Sequence, residues 1–94
     1  AKWYDNVYAL AVMNSNIEVQ TSKEVTLQVM AMPYYGAAFP CDNANLTFTS
    51  LAPETATVGD HTGVVRGVVA GSTGITVVIT EKPSVEDVAY VTVK

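Results

Sequence analysis

Thirty of the 94 residues are β-branched: sixteen Val, eleven Thr and three Ile. Two heavy atoms on Cβ stiffen χ1 and crowd a helical turn, but they pack well on a pleated surface. No periodic run of helix formers offsets this bias, so the chain reads as all-β. Alternation supports the assignment. Val25, Leu27 and Val29 alternate with Thr26 and Gln28, and Leu46 and Phe48 alternate with Thr47 and Thr49. Ile75, Val77 and Ile79 share one face of a later strand, as Ala89, Val91 and Val93 do at the end. A period of two is what a half-buried strand requires.

Further strands are expected over Trp3–Met13, with Val7, Ala9 and Ala11 on one face, and over Ile17–Val19, Ala56–Val58 and Gly63–Ala70. Turns are expected at Asn14-Ser15-Asn16, Gly59-Asp60, Gly71-Ser72 and Lys82-Pro83, where short polar residues, Gly and Pro favour reversal. About seven short strands cannot stand alone, so two sheets must bury their apolar faces against each other. The sequence therefore predicts one domain over 1–94, an immunoglobulin-like two-sheet Greek-key sandwich, with a small closed barrel as the competing arrangement. No Cys-Trp-Cys pattern is present, which argues against an antibody-type domain.

Length and charge narrow the function. A chain this short buries about two-thirds of its unfolded surface and has no room for a second lobe. Its 49% hydrophobic and 15% charged content argues against disorder. A net charge of −4 argues against nucleic acid, because phosphate binding needs clustered Lys and Arg. No window is apolar enough to insert in a membrane, and the Ala1-Lys2-Trp3-Tyr4-Asp5 start lacks a signal-peptide core. Cys41 is the single cysteine, so no intrachain disulfide is expected.

The second half carries a more specific pattern. Phe48-Thr49-Ser50 is followed by Ala56-Thr57-Val58, then by Gly63-Val64-Val65-Arg66-Gly67-Val68-Val69-Ala70-Gly71 and Ser72-Thr73-Gly74-Ile75-Thr76-Val77. With the closing Ala89-Tyr90-Val91-Thr92-Val93, this resembles the bacterial immunoglobulin-like domain, group 2, from Leu46 to the end. Val19–Val29 is compatible with the family's second strand; Phe48 stands where the family often has Trp, and the Met30–Asn45 connection is longer than usual. Geometry gives the pattern a reason. Val65, Ile75, Val77, Val91 and Val93 are expected to point inward, Ala89 to admit close sheet packing, and Gly63, Gly67 and Gly71 to serve positive φ or close backbone approach. No phosphate-binding glycine motif is present.

The resemblance implies a non-enzymatic structural or display module without a cofactor. Such domains project from bacteriophage head and tail proteins, or space adhesive domains on bacterial surfaces. The sequence reading prefers the virion surface, because the first strand begins at once, no export feature is visible, and unbridged Cys41 suits cytoplasmic assembly. The bacterial cell surface is its alternative. The partners implied are parent-chain domains and a virion shell or bacterial surface, with a glycan or protein receptor as a further contact.

Chemistry-bearing residues are few. His61, beside Asp60, is the one imidazole; joined with Ser50 or Ser72 it would make the remote alternative, a small hydrolase. Asp42, Asn43 and Asn45, or Glu86 and Asp87, supply hard oxygens for calcium, but without EF-hand spacing, so no metal site is assigned. The candidate binding patch is Tyr34, Tyr35 and Phe39, within a Met30–Cys41 segment whose two prolines and glycine argue against a regular central strand. Trp3, Tyr4 and Tyr8 are expected to secure the first strand or meet a preceding domain.

Overall fold

A computed structural model describes residues 2–14 and 16–94. Ala1, and Ser15 of the expected Asn14–Asn16 turn, lie outside the described residues. The strands are β1 (Val7–Val12), β2 (Asn16–Val19), β3 (Glu24–Thr26), β4 (Val29–Pro33), β5 (Phe39–Pro40), β6 (Leu46–Ser50), β7 (Ala56–Val58), β8 (Val64–Gly67), β9 (Gly71–Ile79) and β10 (Lys82–Val93). One layer is the sheet β2-β10-β9-β6. The facing layer holds β1-β4-β5 and β3-β8-β7, joined by the chain run that carries β3 into β4. This is the expected all-β sandwich.

The inward set follows the period-two pattern. Val65, Ile75, Val77, Ala89, Val91 and Val93 are buried, and Phe48, only 1% exposed, is the largest of the fully buried side chains. Leu27, Leu46 and Ile79 complete the centre. Among the described residues, no buried side-chain polar atom lacks a hydrogen-bond partner.

The structure corrects several local expectations. Trp3–Asn6 is a 3₁₀ helix rather than strand, capped where Lys2 N donates to Asp5 Oδ2 at 2.8 Å. In β1 the pairing with β4 shifts between Val7 and Ala9, so Val7, Leu10 and Val12 face inward, not Val7, Ala9 and Ala11. One extra residue at a bulge reverses every side chain beyond it. The Val25–Val29 alternation is not one strand: it breaks at Leu27, whose N–H donates to Gly63 O at 2.8 Å as the run passes between strand pairings.

β4 does run centrally, between β1 and β5, through the segment expected to be irregular. Its Pro33 lies at the strand end, opposite Val7 at the bulge. Pro40 sits on the edge strand, where Cys41 N–H donates to Val29 O and the alternating position 40 is turned away from β4. Gly71-Ser72 and Lys82-Pro83 lie inside β9 and β10, and a tight Thr80-Glu81 turn joins those strands. An irregularity between Lys82 and Glu86 absorbs the proline. Val68 and Val69 leave the strand and are exposed.

Two positions explain the glycine spacing. Gly63 has φ +68°, and a Cβ there would stand 2.7 Å from Asn43 Nδ2 and 3.0 Å from the Phe48 ring. At Gly67 a Cβ would meet Gln20 O at 2.8 Å and Val93 Cγ1 at 2.9 Å.

The domain measures 42 × 20 × 16 Å. At about 3.4 Å per residue, the regular part of β10 from Glu86 to Val93 covers about 24 Å of this length. Lys82, at one pole, reaches the N-terminal turn: its Nζ donates to Tyr4 O at 3.3 Å and Val7 O at 3.1 Å. At the other pole Lys94 O accepts from Thr21 N at 2.9 Å. The chain thus enters and leaves at opposite ends. Between the poles, Asp87 Oδ2 accepts from Val12 N at 3.0 Å. Lys82 and Asp87 together satisfy groups of β1 that its partner β4 does not, which blunts an edge strand against unwanted pairing.

Candidate functional site

The expected aromatic patch divides into two groups. The β4–β5 hairpin turns at Gly36, with φ +97°, and is tied back where Tyr34 N donates to Asn6 O at 2.7 Å and Asn6 Nδ2 donates to Tyr35 O at 3.1 Å. This anchors a turn on which Tyr34 and Tyr35 are 63% and 84% exposed. The Tyr34 ring lies 5.2 Å from that of Tyr8, tilted by 47°. Phe39 is not with them: half-buried against the core, it meets Trp3 edge-on at 6.3 Å. Trp3 in turn stands at 88° to Tyr4, 5.7 Å away.

Trp3, Tyr4 and Phe39 therefore close the end of the sandwich, while Tyr8 and Tyr34 form an exposed pair with Tyr35 nearby on the turn. A hydrogen bond to Glu81, with desolvation and the charges of Glu81 and Asp5, pushes the Tyr4 hydroxyl pKa above its ordinary value. The pairing of Tyr8 with Tyr34 was hidden in the sequence, because it depends on the β1 bulge.

Cavities are small or shallow. The recess at this pole, lined by Trp3, Tyr4, Asn45 and Glu81 among others, holds about 120 Å³. That is well below the roughly 300 Å³ at which small-molecule sites begin. A larger open groove of about 480 Å³ runs beside Met13, Gln28, Met30, Pro40 and Cys41. Burial pushes the Cys41 thiol pKa up, the reverse of what activates a nucleophile.

The remaining candidates are occupied by backbone. His61 Nδ1 donates to Leu46 O at 2.7 Å, and Phe48 N donates to Asp60 O at 2.8 Å. These bonds seal the free edge of β6. Ser50 Oγ donates to Ala56 O at 2.6 Å, four residues or about 13 Å along β6 from the His61 contact. Ser72 lies near the Lys94 pole, opposite Thr92. The structure does not bring His61 together with either serine.

The oxygen-rich turn is likewise engaged. Asp42 Oδ1 accepts from Ala44 N at 3.0 Å, and Asn43 Nδ2 donates to Leu27 O at 3.0 Å and Thr62 O at 2.9 Å. Asn43 thereby clasps the β3–β4 break to the Gly59–Gly63 turn. Among the described residues, no group of three or more His, Cys, Asp or Glu is placed to hold a metal ion. Glu86 is exposed, and Asp87 is committed to β1.

No protein-family model matches the sequence. No curated protein matches it either. Solved structures do. The chain is similar to the crystal structure of S-layer protein SbsC domains 4 and 5, with 29% identity and a TM-score of 0.72, covering 93% of this chain and 51% of that one. It is equally similar, at 29% and 0.72, to SbsC domains 5-6, covering 94% and 44%. For SbsC domains 1-6 the same identity and TM-score cover 93% of this chain and 13% of the other. The chain spans about half the length, or less, of each structure.

Proposed function

We propose that the domain is a non-enzymatic spacer within a longer, multidomain protein at a bacterial cell surface. The observation that carries this is the sandwich 42 Å long whose chain enters at one pole and leaves at the other. Units of this form join end to end without doubling back. Similarity to several domains of an S-layer protein supports the same reading. The engagement of His61 and Ser50 with backbone carbonyls favours scaffold over catalyst.

The surface setting was the alternative in the sequence reading. The virion setting it preferred has no counterpart among the three solved structures named above. Kinship with the group 2 bacterial immunoglobulin-like domains stays a proposal, supported by the backbone roles of Gly63 and Gly67.

Deleting the domain from its parent chain tests the spacer. Labels on the flanking segments should draw closer by about the 42 Å length of the domain, while the parent stays reachable by antibody on intact cells. Unchanged spacing, or a parent that antibody cannot reach, would overturn the proposal.

The partners proposed are neighbouring domains and the surface itself, with Tyr34 and Tyr35 offered to a weakly bound glycan or protein. Folded Tyr34→Ala and Tyr35→Ala variants are expected to lose about tenfold in binding to whole cells or a glycan array. Binding equal to that of the parent domain would remove the patch from consideration.

A further inference from the structure

We infer that the domain bears tension along its long axis, with β10 as the spine and β1 and β2 as the strands sheared against it. The inference rests on the spacer reading for the points of loading: force enters beside Lys82 and leaves at Lys94.

The register supports it. β2 pairs with β10 in parallel, Asn16 opposite Tyr90 through Val19 opposite Val93. Above that pairing, β1 lies alongside the first half of β10. There Lys82 holds the carbonyls of Tyr4 and Val7, and Asp87 holds the amide of Val12. β1 and β2 therefore both run beside β10 and in its direction. Pulling β1 and β2 from the N-terminal side and β10 from its end slides them along one another.

In that geometry the cross-strand bonds are strained together. Separating the same strands sideways from one end breaks them in turn. The simultaneous route has the higher barrier, and forced unfolding follows that barrier rather than the equilibrium stability. At the loaded end the ladder is reinforced by Thr21 N to Lys94 O at 2.9 Å, Lys94 N to Val19 O at 3.0 Å, and the Lys94–Glu18 ion pair at 3.1 Å. β10 cannot simply follow the pull, because β9 pairs with it from Glu86–Val78 through Val93–Gly71.

Single-molecule pulling on one protein, Cys41→Ser with Ser22→Cys as an internal handle, compares the two directions. Ser22 is an exposed turn residue next to the Thr21–Lys94 contact, so loading residue 22 against the C-terminus opens the β2–β10 pair from one end. Loading the two termini should unfold the domain at least about tenfold more slowly at equal force, the rate equivalent of one backbone hydrogen bond. Equal or faster rupture between the termini would overturn the inference.

Thr21→Pro removes one donor of the ladder and should speed terminal rupture by about tenfold. An unchanged rate would overturn the role given to β2–β10. The directional comparison needs no folded Thr21→Pro protein. Should both directions rupture alike while deletion still shortens the parent's projection, the tension inference fails and the spacer reading survives.

Discussion

Phe48→Ala is expected to destabilise the domain by about 3–5 kcal/mol, the range for removing a buried aromatic ring and leaving its cavity. Phe48 is 1% exposed and sits in β6 opposite Val77. Its ring also backs the Gly63 turn, where a Cβ would stand 3.0 Å from it, so the cavity would undercut a turn as well as the core. Small domains have a total stability of about 5–15 kcal/mol, so the variant should unfold at markedly lower urea concentration. Phe48→Leu keeps much of the volume and should lose less. A Phe48→Ala loss below about 1 kcal/mol would show that the ring is not central to the packing.

Gly67→Ala is expected to cost about 1–3 kcal/mol through overpacking. The added carbon meets Gln20 O, a backbone atom, at 2.8 Å and Val93 Cγ1 at 2.9 Å. Relief requires the β2–β3 connection to move away from β8, yet Ser22 N–H donates to Gly67 O and Gly67 N–H to Lys23 O. Gly74→Ala is the matched comparison. Its nearest contact is Leu51 Cδ1 at 3.1 Å, the end of an exposed, flexible side chain that can turn aside. Thermal denaturation should place Gly67→Ala several degrees below Gly74→Ala, at about 4–8 °C per kcal/mol for a domain of this size. Equal midpoints would contradict the close approach.

The strands that could be read from sequence are those whose alternation runs unbroken against a regular neighbour. β6 pairs with β9 without a shift, so Phe48, Ile75 and Val77 announce their burial through period two alone. β1 fails that test because its bulge is set by a partner more than twenty positions away, Pro33 opposite Val7. The β3–β4 break at Leu27 depends on Gly63 and Asn43, which no local pattern connects to it.

The functional surface divides in the same way. Tyr34 and Tyr35 could be placed on the outside from a Pro- and Gly-rich turn. Phe39 could not be assigned to the pole, because its neighbour Trp3 lies in a 3₁₀ turn that composition alone reads as strand. From sequence, Lys82 reads as part of a Lys82-Pro83 turn and Asp87 as one of two carboxylates offering hard oxygens. Their work on β1 is visible only once the sheets face each other.

The distance in sequence between β1 and its charged clasp has a consequence for biosynthesis. Val12 and Asp87 are 75 positions apart, and among the described residues β2 has β10 as its one sheet neighbour. On a nascent chain β1 can already pair with β4, but β2 stays without its partner until the closing strand appears. Long-range pairing of this kind is slow, because loop closure must precede any reward. Until translation of the domain is complete, the β2 edge of that sheet stays unmade.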